Sequence, residues 1–131
     1  MLYWNLSDEG SLCDVKGKGL VGRNGKIIFR GVVDIKRGFK GGAYSEYFSS
    51  LLLSDTSVFE AIPSLFVSES EISASHGVSS SPIDDEKLFY VMSKGFEREE
   101  AVRMIAEGFI MDLEFPEEAK EFSKFIFDMR G

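Results

Sequence analysis

Residues 72–84, Ile72-Ser73-Ala74-Ser75-His76-Gly77-Val78-Ser79-Ser80-Ser81-Pro82-Ile83-Asp84, contain the change of pattern that decides the fold. Ile72, Ala74, His76 and Val78 alternate with small residues, the two-residue period of a half-buried strand. After Ser80 the signals become helical. Ser81 and Asp84 have the Ser-x-x-Asp cap spacing, with Pro82 at a first helical position where its missing N–H costs nothing. Asp84, Asp85 and Glu86 suit the positive end of a helix dipole.

Upstream, apolar residues come in short β-rich clusters separated by Gly, Ser and Asp: 27–29, Val32-Val33 with Ile35, 51–53, Val58-Phe59 and 65–67. The step from Leu52 to Phe66 equals that from Phe59 to Ser73, and the step from Val33 to Leu52 is somewhat longer, which gives a loose repeat of short strands. Stacked coils of a parallel β-helix fit that repeat, with a sandwich or an irregular sheet as alternatives. Asn24-Gly25 is the one strong hairpin-type turn. Downstream, one helix is expected through 88–92 with Gly95 as a left-handed stop. A second spans Glu97–Glu107, with Ala101, Ile105 and Phe109 on one face beside Val102 and Gly108 as its end. A third starts near Pro116, where Phe115, Ala119, Phe122, Ile126 and Met129 form an amphipathic stripe. Phe125 and Phe127 fall outside that stripe, a surplus of apolar surface that points to a partner.

Composition narrows the function classes. Of 131 residues, 44% are hydrophobic and 28% charged, which suits a globular chain rather than a disordered one. The net charge of −7 is the wrong sign for a nucleic-acid or anionic-membrane binder. Nine acids face eight bases over residues 1–83, and thirteen face seven over 84–131, so the acidity lies in the helical part. No apolar run approaches the roughly 20 residues of a membrane span, and the N-terminus lacks a signal-peptide pattern. Cys13 is the sole cysteine, so no intrachain disulfide forms, in keeping with a cytoplasmic protein.

Most short motifs have ordinary readings. Gly17-Lys18-Gly19-Leu20-Val21-Gly22 spells G-x-G-x-x-G, but a turn and a strand are expected after it instead of a helix, so these read as turn glycines. The acidic groups at Asp84–Glu86 and at Glu97, Glu99 and Glu100 read as solvated helix starts. Lys36, Arg37 and Lys40 read as a solvated corner. Ser79, His76 and Asp84 formally offer a triad, without a nucleophile elbow. His76, the only histidine, shares a face with Ile72, Ala74 and Val78; it is either a hydrogen-bonded histidine beside the core or a metal or cluster ligand.

Taken in order, residues 25–31 (Gly-Lys-Ile-Ile-Phe-Arg-Gly), 51–55, 63–67, Ser75-His76-Gly77, 83–90 (Ile-Asp-Asp-Glu-Lys-Leu-Phe-Tyr), 93–95 and 107–109 resemble the SufB/SufD family of iron–sulfur cluster assembly proteins. The resemblance implies a mainly β fold with C-terminal α structure: a right-handed parallel β-helix, here about three coils over residues 1–80, then a helical domain over 81–131. It implies a non-enzymatic scaffold whose C-terminal helices dock SufC, an ABC-type ATPase, with Phe122, Phe125 and Phe127 as partner-binding candidates. His76 falls on the family histidine thought to help hold the cluster at the SufB–SufD interface. Gly77 stands where SufB has Glu, and Phe48 where SufB carries its proposed cluster cysteine, so the chain looks SufD-like. A cluster would then be transient and shared with a SufB-type paralogue, none being held stably by this chain alone. The chain corresponds to the C-terminal portion of longer members, and its exposed strand edges imply a homodimer. Two expectations compete: a β-helical carbohydrate-active enzyme, which needs clustered carboxylates where Asp34, Asp55 and Glu60 are isolated, and a truncated family member without cluster function.

Overall fold

The computed structural model describes residues 1–112. Six strands precede two helices: β1 (Leu2–Leu6), β2 (Leu12–Val21), β3 (Lys26–Ile35), β4 (Ala43–Leu52), β5 (Val58–Val67), β6 (Ser73–Pro82), α1 (Asp85–Ser93) and α2 (Arg98–Met111). Consecutive strands alternate between two sheets, ordered β1-β3-β5 and β2-β4-β6. All pairings are parallel. Leu2 pairs with Gly31, Leu12 with Ala43, Lys26 with Val58 and Ala43 with Ser73, so each strand pairs with the next but one in the chain. The repeat is thus a two-strand unit, about twice as long as the spacing of the apolar clusters suggests. Those clusters are fragments: 27–29 and 32–35 belong to one strand, as do 58–59 and 65–67. Asn24-Gly25 makes no hairpin. Asn24, at φ 58°, carries the chain from one sheet to the other.

The sheets face each other across a core of Val33, Ile35, Phe39 and Tyr44, packed by Trp4, Leu6, Cys13, Val15 and Ile72. Strand alternation explains the selection. In β4, Tyr44, Glu46, Phe48 and Ser50 turn inward and are buried, while Tyr47 is exposed. Gly17 and Gly19, expected in a turn, lie inside β2 on the inward face. Their missing side chains make room for aromatic rings: a Cβ on Gly17 would overlap the Phe48 ring, and one on Gly19 would sit 3.5 Å from Phe59. Phe48 stacks on Phe29 with centroids 3.9 Å apart. Cys13 is half-buried, and burial, then Asp14, pushes its thiol pKa up, which disfavours the reactive thiolate.

Strand β6 runs through Pro82, so the helix cap is Asp84 rather than Ser81. The Asp84 carboxylate accepts from the N–H groups of Glu86 and Lys87 at 2.9 and 3.4 Å. Gly95, at φ 98°, is the expected left-handed stop. Glu97 and Glu100 form a capping box at the start of α2. That helix continues through Gly108, where an end was expected, to Met111. The two helices pack on each other, and Leu88, Ala101 and Ala106 are their buried residues. Lys18 ties the pair to the sheets: its ammonium donates to the Phe109 carbonyl (2.7 Å) and to Asp112 (2.9 Å) and lies 4.5 Å from the Phe109 ring centroid. The third helix expected from Pro116, with Phe122, Phe125 and Phe127, lies outside the described residues.

Candidate functional site: the open end of the stack

Strands β5 and β6 are the last of their sheets. Their inward-facing side chains, which a further strand pair would cover, are exposed at Leu65, Val67 and Val78. His76 stands among them. Its register partner is the inward-facing Glu46, so His76 also faces inward, as the alternation with Ile72, Ala74 and Val78 implied. It is nevertheless exposed, because nothing among the described residues lies over β6. His76 therefore stands on the inward face beside the core, with its ring exposed.

The two edges differ in what they offer. In a parallel pair, the N–H and C=O of alternate residues point to one neighbour and those between point to the other side. Ser73 donates to Gly42, so the N–H groups of Ala74, His76, Val78 and Ser80 point away from β4 and find no strand partner among the described residues. On β5, Val58 donates to Gly25 and Ser68 to Ile35. Pro63 therefore falls at an outward position, where its missing N–H costs the ladder nothing and interrupts the edge. Pro63 interrupts the β5 edge in mid-strand, whereas Pro82, also at an outward position, is the last residue of β6, so among the described residues β6 offers the longer open edge.

Beneath His76 lies a feature that the sequence reading missed. Glu46 is 4% exposed. Its Oε2 accepts from the buried Tyr44 hydroxyl at 2.9 Å, while its Oε1 has no hydrogen-bond partner. Burial, then Glu46, raises the Tyr44 phenol pKa far above its ordinary value. The signal was present in the alternation Tyr44, Glu46, Phe48, which puts a carboxylate on an apolar face.

The other candidates separate. Phe48 is buried and pairs with Val78, one pleat from His76 on the same face; positions 48 and 76 are thus brought together, and position 48 presents an aromatic ring. Gly77 lies under Tyr47, whose ring a Cβ would approach to 2.8 Å, so a larger residue there requires Tyr47 to move. Ser79 accepts from the Tyr47 hydroxyl on the outer face and Asp84 caps α1, so the triad does not assemble. Lys36 pairs with Asp34 and Lys40 with Glu71, as a solvated corner should. Asp34 is occupied by Lys36 and Tyr3, which lower its pKa. Glu60 pairs with Lys26. Among the described residues, no group of three or more His, Cys, Asp or Glu is placed to hold a metal ion. None of their helices is long and apolar enough to cross a membrane.

Residues 3–109 match the family described as SUF system FeS cluster assembly, SufBD core domain. The chain belongs to the SufBD family. Among its relatives are iron–sulfur cluster assembly SufBD family proteins of Staphylococcus aureus (strain USA300) and Staphylococcus haemolyticus (strain JCSC1435), each 36% identical over 121 residues. The alignments cover 89% of this chain and 26% of each relative, so the chain spans about a quarter of the SufBD proteins it matches. The match crosses both sheets and the helix pair, and the open end with His76 lies within it.

Proposed function

We propose that the chain is a non-enzymatic scaffold component of the Suf iron–sulfur cluster assembly system, acting in the cytoplasm. In this reading residues 1–80 are three coils of a right-handed parallel β-helix, the hand that parallel crossovers almost always take. The part of the chain after β6, which includes α1 and α2, is a docking domain. The observation that carries the proposal is the family match over residues 3–109, which takes in both parts. The nascent cluster is cargo, held transiently with a SufB-type paralogue. His76 contributes one ligand at the open end, since Phe48 supplies no thiolate.

The helices dock a SufC-type ABC ATPase, and ATP-driven motion of that partner reshapes the interface near His76. Exposed apolar side chains on α1 favour this, Phe89 being 76% and Tyr90 62% exposed; Phe122, Phe125 and Phe127 are the further candidates from the sequence. Calorimetric titration with the SufC-type ATPase of the same organism tests the docking. Micromolar or tighter binding is expected, lost in Phe89→Asp and in Phe122→Asp. No binding by a chain that shows a cooperative unfolding transition would overturn it.

In the absence of a paralogue, the open β6 edge pairs with a second copy. Such pairing satisfies the outward N–H groups of β6 and covers Val78.

A further inference from the structure

Two groups on neighbouring strands each lack what the other offers. Glu46 Oε1 is buried without a donor, while Oε2 is already held by Tyr44. A carboxylate oxygen taken from water and left unpaired is costly. His76 lies in register with Glu46 on the same face, one strand spacing away (about 4.8 Å), and its ring makes no hydrogen bond among the described residues.

No donor is placed at Oε1 among the described residues. Across the interior, a Cβ on Gly31 would lie 2.8 Å from Oε1, 3.0 Å from Phe29 and 3.1 Å from Trp4. Along its own row the other neighbour is Val15, which has nothing to donate. The exposed ring of His76 is free to change rotamer, whereas Glu46 is held by Tyr44.

We propose that Glu46 is a positioning residue for His76, its Oε1 accepting the imidazole Nδ1–H so that Nε2 is presented bare at the open end. Tyr44, Glu46 and His76 then form one hydrogen-bonded line from the core to the surface. A carboxylate behind an imidazole fixes its tautomer and orientation and makes the opposite nitrogen a better ligand. The inference deepens the reading of His76 as a ligand and rests on it for its purpose, but its test needs no metal.

Because His76 is the only histidine, a long-range 1H–15N correlation spectrum of the labelled chain at pH 8.5 reports this ring alone. In the unmodified chain Nδ1 is expected to resonate as the protonated nitrogen and Nε2 as the bare one. In Glu46→Gln the amide gives its oxygen to Tyr44 and turns an NH2 toward the ring. That group only donates, so the proton moves to Nε2. Glu46→Leu removes the acceptor, and Nε2–H, the form favoured by solvent-exposed histidines, is expected there too. An Nε2–H ring in the unmodified chain, a measurement that depends on no variant folding, would overturn the proposal; so would an Nδ1–H ring that persists in Glu46→Leu. Failure of His76 to support cluster assembly would leave the tautomer unchanged, so the two readings fail separately.

Discussion

Phe39→Ala is expected to destabilise the chain by about 3–5 kcal/mol, the usual cost of emptying a fully buried phenylalanine site. Phe39 is 0% exposed and lies in the connection between β3 and β4, where it plugs the core beside Val33, Ile35 and Tyr44. The site has little room to relax. A Cβ on Gly42 would already meet the Phe39 ring at 2.5 Å, and the backbone around it is held by the Phe39 N–H to Lys36 and by Gly42 to the Phe39 carbonyl. Domains are typically stable by about 5–15 kcal/mol, so this one change removes a large share. Trp4, the only tryptophan, packs against the same cluster and makes a natural probe. Urea unfolding followed by its fluorescence should show a much lower midpoint with an unchanged slope. An unchanged midpoint would mean that Phe39 is not the plug the structure shows.

Gly17→Ala is expected to destabilise the chain too, although it adds only one methyl group. That methyl would overlap two atoms of the Phe48 ring, and Phe48 cannot easily swing away because it is buried against Phe29. Overpacking of this kind costs about 1–3 kcal/mol and occasionally more. Gly19→Ala is the control: its Cβ meets Phe59 at an ordinary 3.5 Å, and alanine restricts the unfolded chain more than glycine does. It should therefore be near neutral or slightly stabilising. Phe48→Ala alone opens a cavity, but combined with Gly17→Ala it removes the clash. The double variant should be more stable than the sum of the single losses by about 0.5–3 kcal/mol. Strict additivity in that cycle would contradict the close packing of the pair.

The same glycines show why part of the fold was legible in the sequence and part was not. The period-2 run at 72–78 and the cap signals after it are local, and local patterns located β6 and α1, though they favoured Ser81 over Asp84 as the cap. The steps between sheets are non-local. Gly17 and Gly19 look like turn residues until Phe48 and Phe59 are seen to need their space, and those rings arrive from β4 and β5, well beyond any local window. Pro63 likewise argues for a break in a strand, and only the pairing of β5 with β3 reveals an edge position where proline is harmless. His76 was placed on the correct face from alternation alone. Its exposure depends on β6 being the last strand of its sheet, and its neighbour Glu46 lies two strands earlier in the chain. The buried carboxylate went unnoticed for that reason.

The central claim is that the chain works through the open β6 edge, and its mass in solution tests that most directly. Sedimentation equilibrium at micromolar concentration should give twice the chain mass of 14.6 kDa. Val78→Pro removes one outward N–H, as Pro63 does on β5, without touching the ladder to β4, and should give the single-chain mass with the unfolding transition retained. A monomer for the unmodified chain, or a dimer that survives Val78→Pro, would contradict the claim.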